Sequence, residues 1–472
     1  MLNTQEVIKN SGVTFGTSGA RGLVVDFTPD LCAAFVHAFL QILTKRYDVK
    51  KVALAIDNRP SSYLIAQACA AAIIGQGHEV EFQGTIPTPA LAYYTAINAI
   101  PGIMVTGSHI PFDRNGLKFY RPDGEISKSD ESAILSEVYH FPESQWLPNL
   151  IEQKDAADLY VKRYTSLFDS SLLAGKMIGI YEHSSAGRDI YPLIFKQLGA
   201  EIISLGRSDE FVPIDTEAVS DKDRALAQKW VHEYQLDAIF STDGDGDRPL
   251  ISDENGEWLR GDILGLLASL QLNIQALAVP LSCNTAIELT SQFRKVERTR
   301  IGSPYVISAF ADLKDYQSVA GFEANGGFLL ASDINVNSSV LRALPTRDAV
   351  LPALMLLVRA KKEKISDIVK SLPARFTWSD RIQNFPAEKN VALFDKIKTD
   401  PDGFISDSGF ASLSVKDINL LDGIRLTLNN DDILHLRASG NAPELRCYAE
   451  STSEMKAKQY VNITISNIET SK

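Results

Sequence analysis

Apolar and polar positions along this chain fall into a layout that occurs three times. Residues 52–82, 177–205 and 277–302 each begin with an apolar run and pass through a short polar loop. A helical stretch follows, and then a second strand-like run. Each unit therefore reads as strand, loop, helix and strand. The polar loops contain serine or threonine just before the helix, where an N-cap is expected. Strands alternating with helices predict α/β architecture: three similar α/β domains with mixed, mostly parallel sheets.

A polar, glycine-containing loop follows each unit, at 106–111, 243–248 and 321–327. In α/β domains such loops gather at the carboxyl ends of the strands, where ligands bind. The repeats thus predict one central cleft lined by one loop from each domain. From about residue 373 the character changes. Two short strand-like runs, 433–437 and 446–449, flank a loop and predict a smaller C-terminal α+β domain. The expected domains are 1–150, 151–257, 258–372 and 373–472.

Composition fits this frame: 472 residues, 45% hydrophobic and 22% charged, enough for three or four cores. The N-terminus lacks the basic-then-apolar layout of a signal peptide. The longest apolar stretch, 63–75, is too short to span a bilayer and carries Gln67. Cys32, Cys69, Cys283 and Cys447 show no metal or redox spacing and read as small core residues in a reducing compartment. The expected location is cytoplasmic. A net charge of −12 argues against nucleic acid or an anionic membrane as partner. Against that background, local clusters of arginine and lysine carry more meaning. Oligomeric state leaves no signal in the sequence.

The strongest chemical signal is Ser241-Thr-Asp-Gly-Asp-Gly-Asp-Arg248, which follows an apolar strand at 236–240. Asp243, Asp245 and Asp247 repel one another unless something positive sits among them. Their hard oxygen donors suit Mg²⁺, and the intervening glycines let the carboxylates converge. Arg248 cannot be a ligand, so it should face an anion beside the metal, most simply a phosphate. A calcium loop fits the spacing through Glu254. It requires glycine at the sixth position, however, where Arg248 stands, and a preceding helix where a strand is expected.

The strand at 103–105 leads into Thr106-Gly-Ser-His-Ile-Pro111, with Ser108 a candidate nucleophile beside His109. Asn115-Gly116 predicts a hairpin turn that returns Lys118 towards Ser108. No triad can be read, which argues against a serine hydrolase. In the fourth domain Arg437, Ser439, Gly440, Asn441 and Arg446 have the makings of a phosphate cradle. His37, His78, His140, His183, His232 and His435 stand outside these motifs and read as structural.

These four loops, together with Phe15-Gly-Thr-Ser-Gly-Ala-Arg-Gly22, resemble the signature motifs of the α-D-phosphohexomutases, the phosphomannomutase/phosphoglucomutase family. They occur in family order over almost the whole chain. The resemblance implies that Ser108 carries a phosphoryl group and that Mg²⁺ is held by Ser108, Asp243, Asp245 and Asp247. It implies Lys118 as general acid/base, with His109 and Arg21 close by. Glu323 and Asn325, in the loop 321–327, would then read sugar hydroxyls. The fourth-domain loop and Arg248 would grip phosphate. The implied reaction interconverts hexose 1-phosphate and hexose 6-phosphate (mannose, glucose or both), with hexose 1,6-bisphosphate as activator and intermediate. Alternatives are a phosphoglucosamine mutase, a metal-dependent sugar phosphatase and a non-catalytic sugar-phosphate binder. The chain departs from the common family pattern at Gly107 and Ile110 in the serine loop. It departs again at Asn325 and Gly327, where many bacterial members have serine and histidine, so sugar preference does not carry over.

Overall fold

The computed structural model describes residues 1–16, 19–143, 146–337, 339–439 and 443–470. The chain folds as two compact units, one of residues 1–277 with 302–368 and the other of residues 278–301 with 369–472. No described helix is long and apolar enough to cross a membrane.

In the first unit, strand Lys51–Ile56 is buried at every residue but its first, as its apolar run requires. It pairs in parallel with Glu79–Thr85 and Gly102–Val105. The sheet then continues antiparallel through Arg114–Arg121 and Ala20–Leu23. Helices Pro29–Thr44 and Ser62–Gly75 are buried over most of their length. The first starts cleanly, with Thr28 Oγ1 accepting from Leu31 N and Pro29 in the first turn. Cys32, Cys69, Cys283 and Cys447 are all buried.

The second repeat forms its own sheet. Met177–Tyr181 pairs in parallel with Glu201–Leu205 and Ala238–Thr242, and Pro249–Ile251 adds antiparallel to Ala238–Thr242. The aspartate loop is the connection between those last two strands. Further on, Val319–Phe322 and Phe328–Leu330 form a hairpin, and Leu344–Asp348 pairs antiparallel with Phe328–Leu330.

In the second unit, Leu445–Ser451, Ile433–Ala438 and Ile424–Leu428 lie between edge strands Phe376–Ile382 and Val415–Asn419, all antiparallel. Helix Glu454–Thr470 packs on this sheet. The third repeat gives strand Ala276–Pro280, whose first two residues belong to the first unit, the short helix Ala286–Leu289 and strand Lys295–Thr299.

Two expectations are corrected. Asn115 and Gly116 make no turn: both lie inside strand Arg114–Arg121. Asn115 Nδ2 donates to the hydroxyls of Ser61 and Ser62, and a Cβ on Gly116 would sit 2.5 Å from the carbonyl of Ala20. Close strand approach, not turning, demands the glycine. The expected N-caps also fail. Ser61 precedes its helix without capping it, because its hydroxyl accepts from Asn115; the second helix is flanked by Ile190. Thr285 donates its hydroxyl to Glu450 instead.

Candidate active site

Ser108 lies in the left-handed region at φ +54°, costly for a residue with a Cβ, and is fully buried. Its surroundings impose that geometry. Asp57 directly follows the strand Lys51–Ile56 and accepts from Ser62 Oγ at 2.6 Å, Thr106 Oγ1 at 2.7 Å and Arg59 Nε at 3.2 Å. Thr106 Oγ1 in turn accepts from the Ser108 amide at 2.8 Å. The Arg59 guanidinium reaches across the loop. It donates to the carbonyls of Ser108 and Pro111 at 2.7 Å and Arg114 at 2.9 Å, and also to that of Ile110. Its outer face rests on the Phe211 ring, 4.1 Å from the centroid. A Cβ on residue 107 would lie 2.6 Å from Arg59 Cζ, which accounts for Gly107.

So fixed, the Ser108 hydroxyl donates to Asp243 Oδ2 at 2.8 Å and lies 3.5 Å from His109 Nδ1. Asp243, Asp245 and Asp247 are all buried, and each offers an oxygen within 4.8 Å of the others. Lys118 Nζ bridges two of them, at 2.5 Å from Asp245 Oδ2 and 2.7 Å from Asp247 Oδ2. Thr88 Oγ1 donates to Asp245 Oδ2 at 2.7 Å. Arg347 donates from Nε to Asp247 Oδ2 at 3.0 Å.

These partners divide the acids. Burial raises all three, but Lys118 holds Asp245 below the ordinary carboxylate range, and Arg347 does the same for Asp247. Asp243, buried and beside two other acids, is pushed well above it. Asp245 Oδ1 and Asp247 Oδ1 are buried and accept no hydrogen bond. Orphaned carboxylate oxygens beside an acid short of positive charge fit a hard divalent cation. The donor set suits Mg²⁺.

Arg248 NH1 lies 2.8 Å from His109 Nδ1 and donates to it. The Arg248 charge, with burial, drives His109 down to about 2, so the ring is neutral and accepts that bond. Burial and the Arg248 charge lower Arg21 to about 10. Both residues thus belong to the charged cluster, as does Arg248, whose Nε is 3.9 Å from Asp243 and 3.8 Å from Asp247.

In the hairpin loop Glu323 is buried, and its Oε2 accepts from Arg347 NH1 at 3.3 Å. Asn325 spends its side-chain oxygen on the Gly327 amide at 3.0 Å, so it shapes the loop from within. In the second unit, Arg437 and Arg446 stand directly opposite each other on paired strands. Asp422 holds Arg437 through both oxygens at 2.9 Å, while Glu444 is 3.8 Å from Arg446 Nε. The Ser439 amide donates to the Glu444 carbonyl. Gly440 and Asn441 lie outside the described residues.

Sequence reasoning missed Asp57, Arg59, Thr88 and Arg347. The first two sit in the polar loop of the first repeat, where an Asp-x-Arg directly after a strand was available as a signal. Thr88 and Arg347 reach the aspartates from distant segments and carried no local mark.

Family models described as phosphoglucomutase/phosphomannomutase match the chain at alpha/beta/alpha domain I (residues 12–143), alpha/beta/alpha domain III (261–376) and the C-terminal domain (383–465). A phosphomannomutase of Salmonella muenchen is 57% identical, covering 99% of this chain and 98% of its own. One from Sinorhizobium fredii is 41% identical over 93% and 95%. A phosphoglucosamine mutase of Aliivibrio fischeri is 30% identical over 94% and 96%. Among solved structures, a phosphoglucomutase/phosphomannomutase family protein from Burkholderia thailandensis superposes with TM-score 0.76 at 19% identity, covering 99% and 98%. Aspergillus fumigatus N-acetylphosphoglucosamine mutase, in complex with GlcNAc-6P and magnesium, gives 0.59 at 13%, covering 98% of each chain. At such identities the structures speak for the fold alone.

Proposed function

The chain belongs to the phosphoglucomutase/phosphomannomutase family, and we propose that it interconverts mannose 1-phosphate and mannose 6-phosphate through a phosphoryl group carried on Ser108. The observation that carries this reading is the Ser108 hydroxyl bonded to Asp243 among three buried aspartates. Mannose is favoured because the two relatives at 57% and 41% identity are phosphomannomutases, whereas the phosphoglucosamine mutase reaches 30%.

In the first transfer the free C6 hydroxyl of the 1-phosphate forms a bond to phosphorus as the Ser108 Oγ–P bond breaks. Lys118 is the group assigned to take the hydroxyl proton. The product is the 1,6-bisphosphate, with Ser108 unphosphorylated. Once the sugar has reoriented, Ser108 Oγ bonds to the C1 phosphorus as the C1 oxygen–phosphorus bond breaks, the C1 oxygen takes the proton that Lys118 holds, and the 6-phosphate departs. Ser108, Asp243, Asp245 and Asp247 would hold Mg²⁺, which supplies positive charge against that developing on the phosphoryl oxygens. Arg248 and Arg21 add fixed charge of the same sign. Glu323 accepts from sugar hydroxyls, and the Arg437–Arg446 loop takes the phosphate that is not reacting.

Phosphorus NMR tests the reaction. The protein, Mg²⁺ and a trace of hexose bisphosphate are mixed separately with the 1-phosphates of mannose, glucose and N-acetylglucosamine. A 6-phosphate resonance growing fastest from mannose 1-phosphate is expected. Growth fastest from another sugar would overturn the mannose assignment, and inorganic phosphate alone would overturn the mutase reading.

A further inference from the structure

Gly327 and Arg347 compete for one space. A Cβ on residue 327 would lie 2.5 Å from Arg347 Cδ, 2.6 Å from Cγ and 3.0 Å from Cβ. Because the contact runs along the whole stem of the side chain, movement of its tip alone could not relieve it. Arg347 therefore fills the position that any side chain at 327 would take, between the loop 321–327 and the aspartate loop.

From there its guanidinium makes two connections. Nε and NH2 hold Asp247 Oδ2 at 3.0 and 2.9 Å, and NH1 holds Glu323 Oε2 at 3.3 Å. All three residues are almost fully buried. With Lys118 on the same Oδ2 atom, that oxygen of Asp247 is fully engaged, and Oδ1, 3.8 Å from Arg248 Nε, is left without a hydrogen bond. We propose that Arg347 is a positioning residue that ties the metal-holding carboxylate Asp247 to the hydroxyl-reading carboxylate Glu323. In this way it fixes which Asp247 oxygen faces the cation and where Glu323 meets the sugar. The inference rests on the mutase reading above.

The planar fork is what allows the bridge. Lysine keeps the charge but has one nitrogen, and cannot meet Asp247 from two nitrogens and Glu323 from a third as the fork does. Partners behind metal ligands typically contribute tenfold to a hundredfold in metal affinity.

The test measures binding, not turnover. Titration calorimetry follows Mg²⁺ alone, and mannose 6-phosphate with Mg²⁺ present, on unphosphorylated wild type, Arg347→Lys, Gly327→Ala and Glu323→Gln, each checked for folding by circular dichroism. Arg347→Lys is expected to weaken both affinities about tenfold or more. Glu323→Gln should weaken the sugar phosphate and leave Mg²⁺ unchanged, a split that a merely structural role for Arg347 would not set up. Gly327→Ala displaces the arginine without deleting it and should reproduce both losses, which also covers an Arg347→Lys that fails to fold. Folded Arg347→Lys or Gly327→Ala protein with both affinities within about twofold of wild type would overturn the inference. Wild-type protein that binds neither would overturn the mutase reading, and this inference with it.

Discussion

The Ser108 hydroxyl donates a 2.8 Å hydrogen bond to Asp243 Oδ2, joining loops whose residues are 135 apart in sequence. Burial without solvent and a left-handed backbone at Ser108 fit an oxygen held for reaction, since neither benefits packing. Ser108→Ala should therefore lose all phosphorylation from hexose bisphosphate, read by intact mass. Turnover should fall on the order of a thousandfold or more. Near-native turnover in that variant would contradict the role given to Ser108.

Arg59 is the second point of leverage, because one guanidinium holds three carbonyls of the serine loop and that of Arg114 at the start of the next strand. Arg59→Ala leaves the buried Asp57 carboxylate without its cation and should destabilise the protein by about 3–5 kcal/mol, read from the urea midpoint. Arg59→Lys keeps charge but not the fork. It should retain most of that stability while turnover drops about a hundredfold through misplacement of Ser108. Equal turnover in Arg59→Lys and wild type would show that the loop holds itself.

Much of this site was legible in the sequence because its chemistry is local. Asp243, Asp245 and Asp247 are spaced by glycines within one loop, and Ser108 with His109 follows a readable strand. The three repeats likewise announced the strand–helix–strand units, since apolar periodicity is a local property. What depends on distant partners was not legible. Asn115-Gly116 carries a turn signal, yet the close approach of Ala20 keeps it inside a strand. Ser61 and Thr285 look like caps, yet Asn115 and Glu450 engage their hydroxyls first. Arg347 reaches Asp247 across 100 residues, and nothing nearby in the sequence marks it.

Away from the site, His37 sets a pH dependence of stability. Burial beside Tyr139 and Phe141 lowers it from 6.5 to about 4, and Gln76 Nε2 donates to its neutral Nδ1 at 2.7 Å. Between those two values the unfolded chain binds a proton that the folded chain does not. The contribution is thus complete above pH 6.5 and is lost as pH falls towards 4. By then the loss should reach up to about 3 kcal/mol. Urea midpoints across that range should fall less steeply for His37→Gln than for wild type. Parallel curves would contradict the assignment.

Arg437 and Arg446 face each other across paired strands, with Asp422 beside the first and Glu444 beside the second. If their loop grips the phosphate that is not reacting, it must serve both isomers. Arg446→Ala should raise KM about tenfold or more for the 1-phosphate and the 6-phosphate alike, with a smaller change in kcat. Loss confined to one isomer in steady-state kinetics would contradict a sugar that binds in two orientations.

The most direct test of the central claim follows the phosphoryl group itself. Protein carrying a radiolabelled phosphoryl group on Ser108 is mixed with unlabelled mannose 1-phosphate and Mg²⁺, quenched at short times and resolved by chromatography. The label should leave the protein and appear in mannose bisphosphate and then in mannose phosphates. Label released as inorganic phosphate, or retained on the protein while 6-phosphate accumulates, would contradict the account.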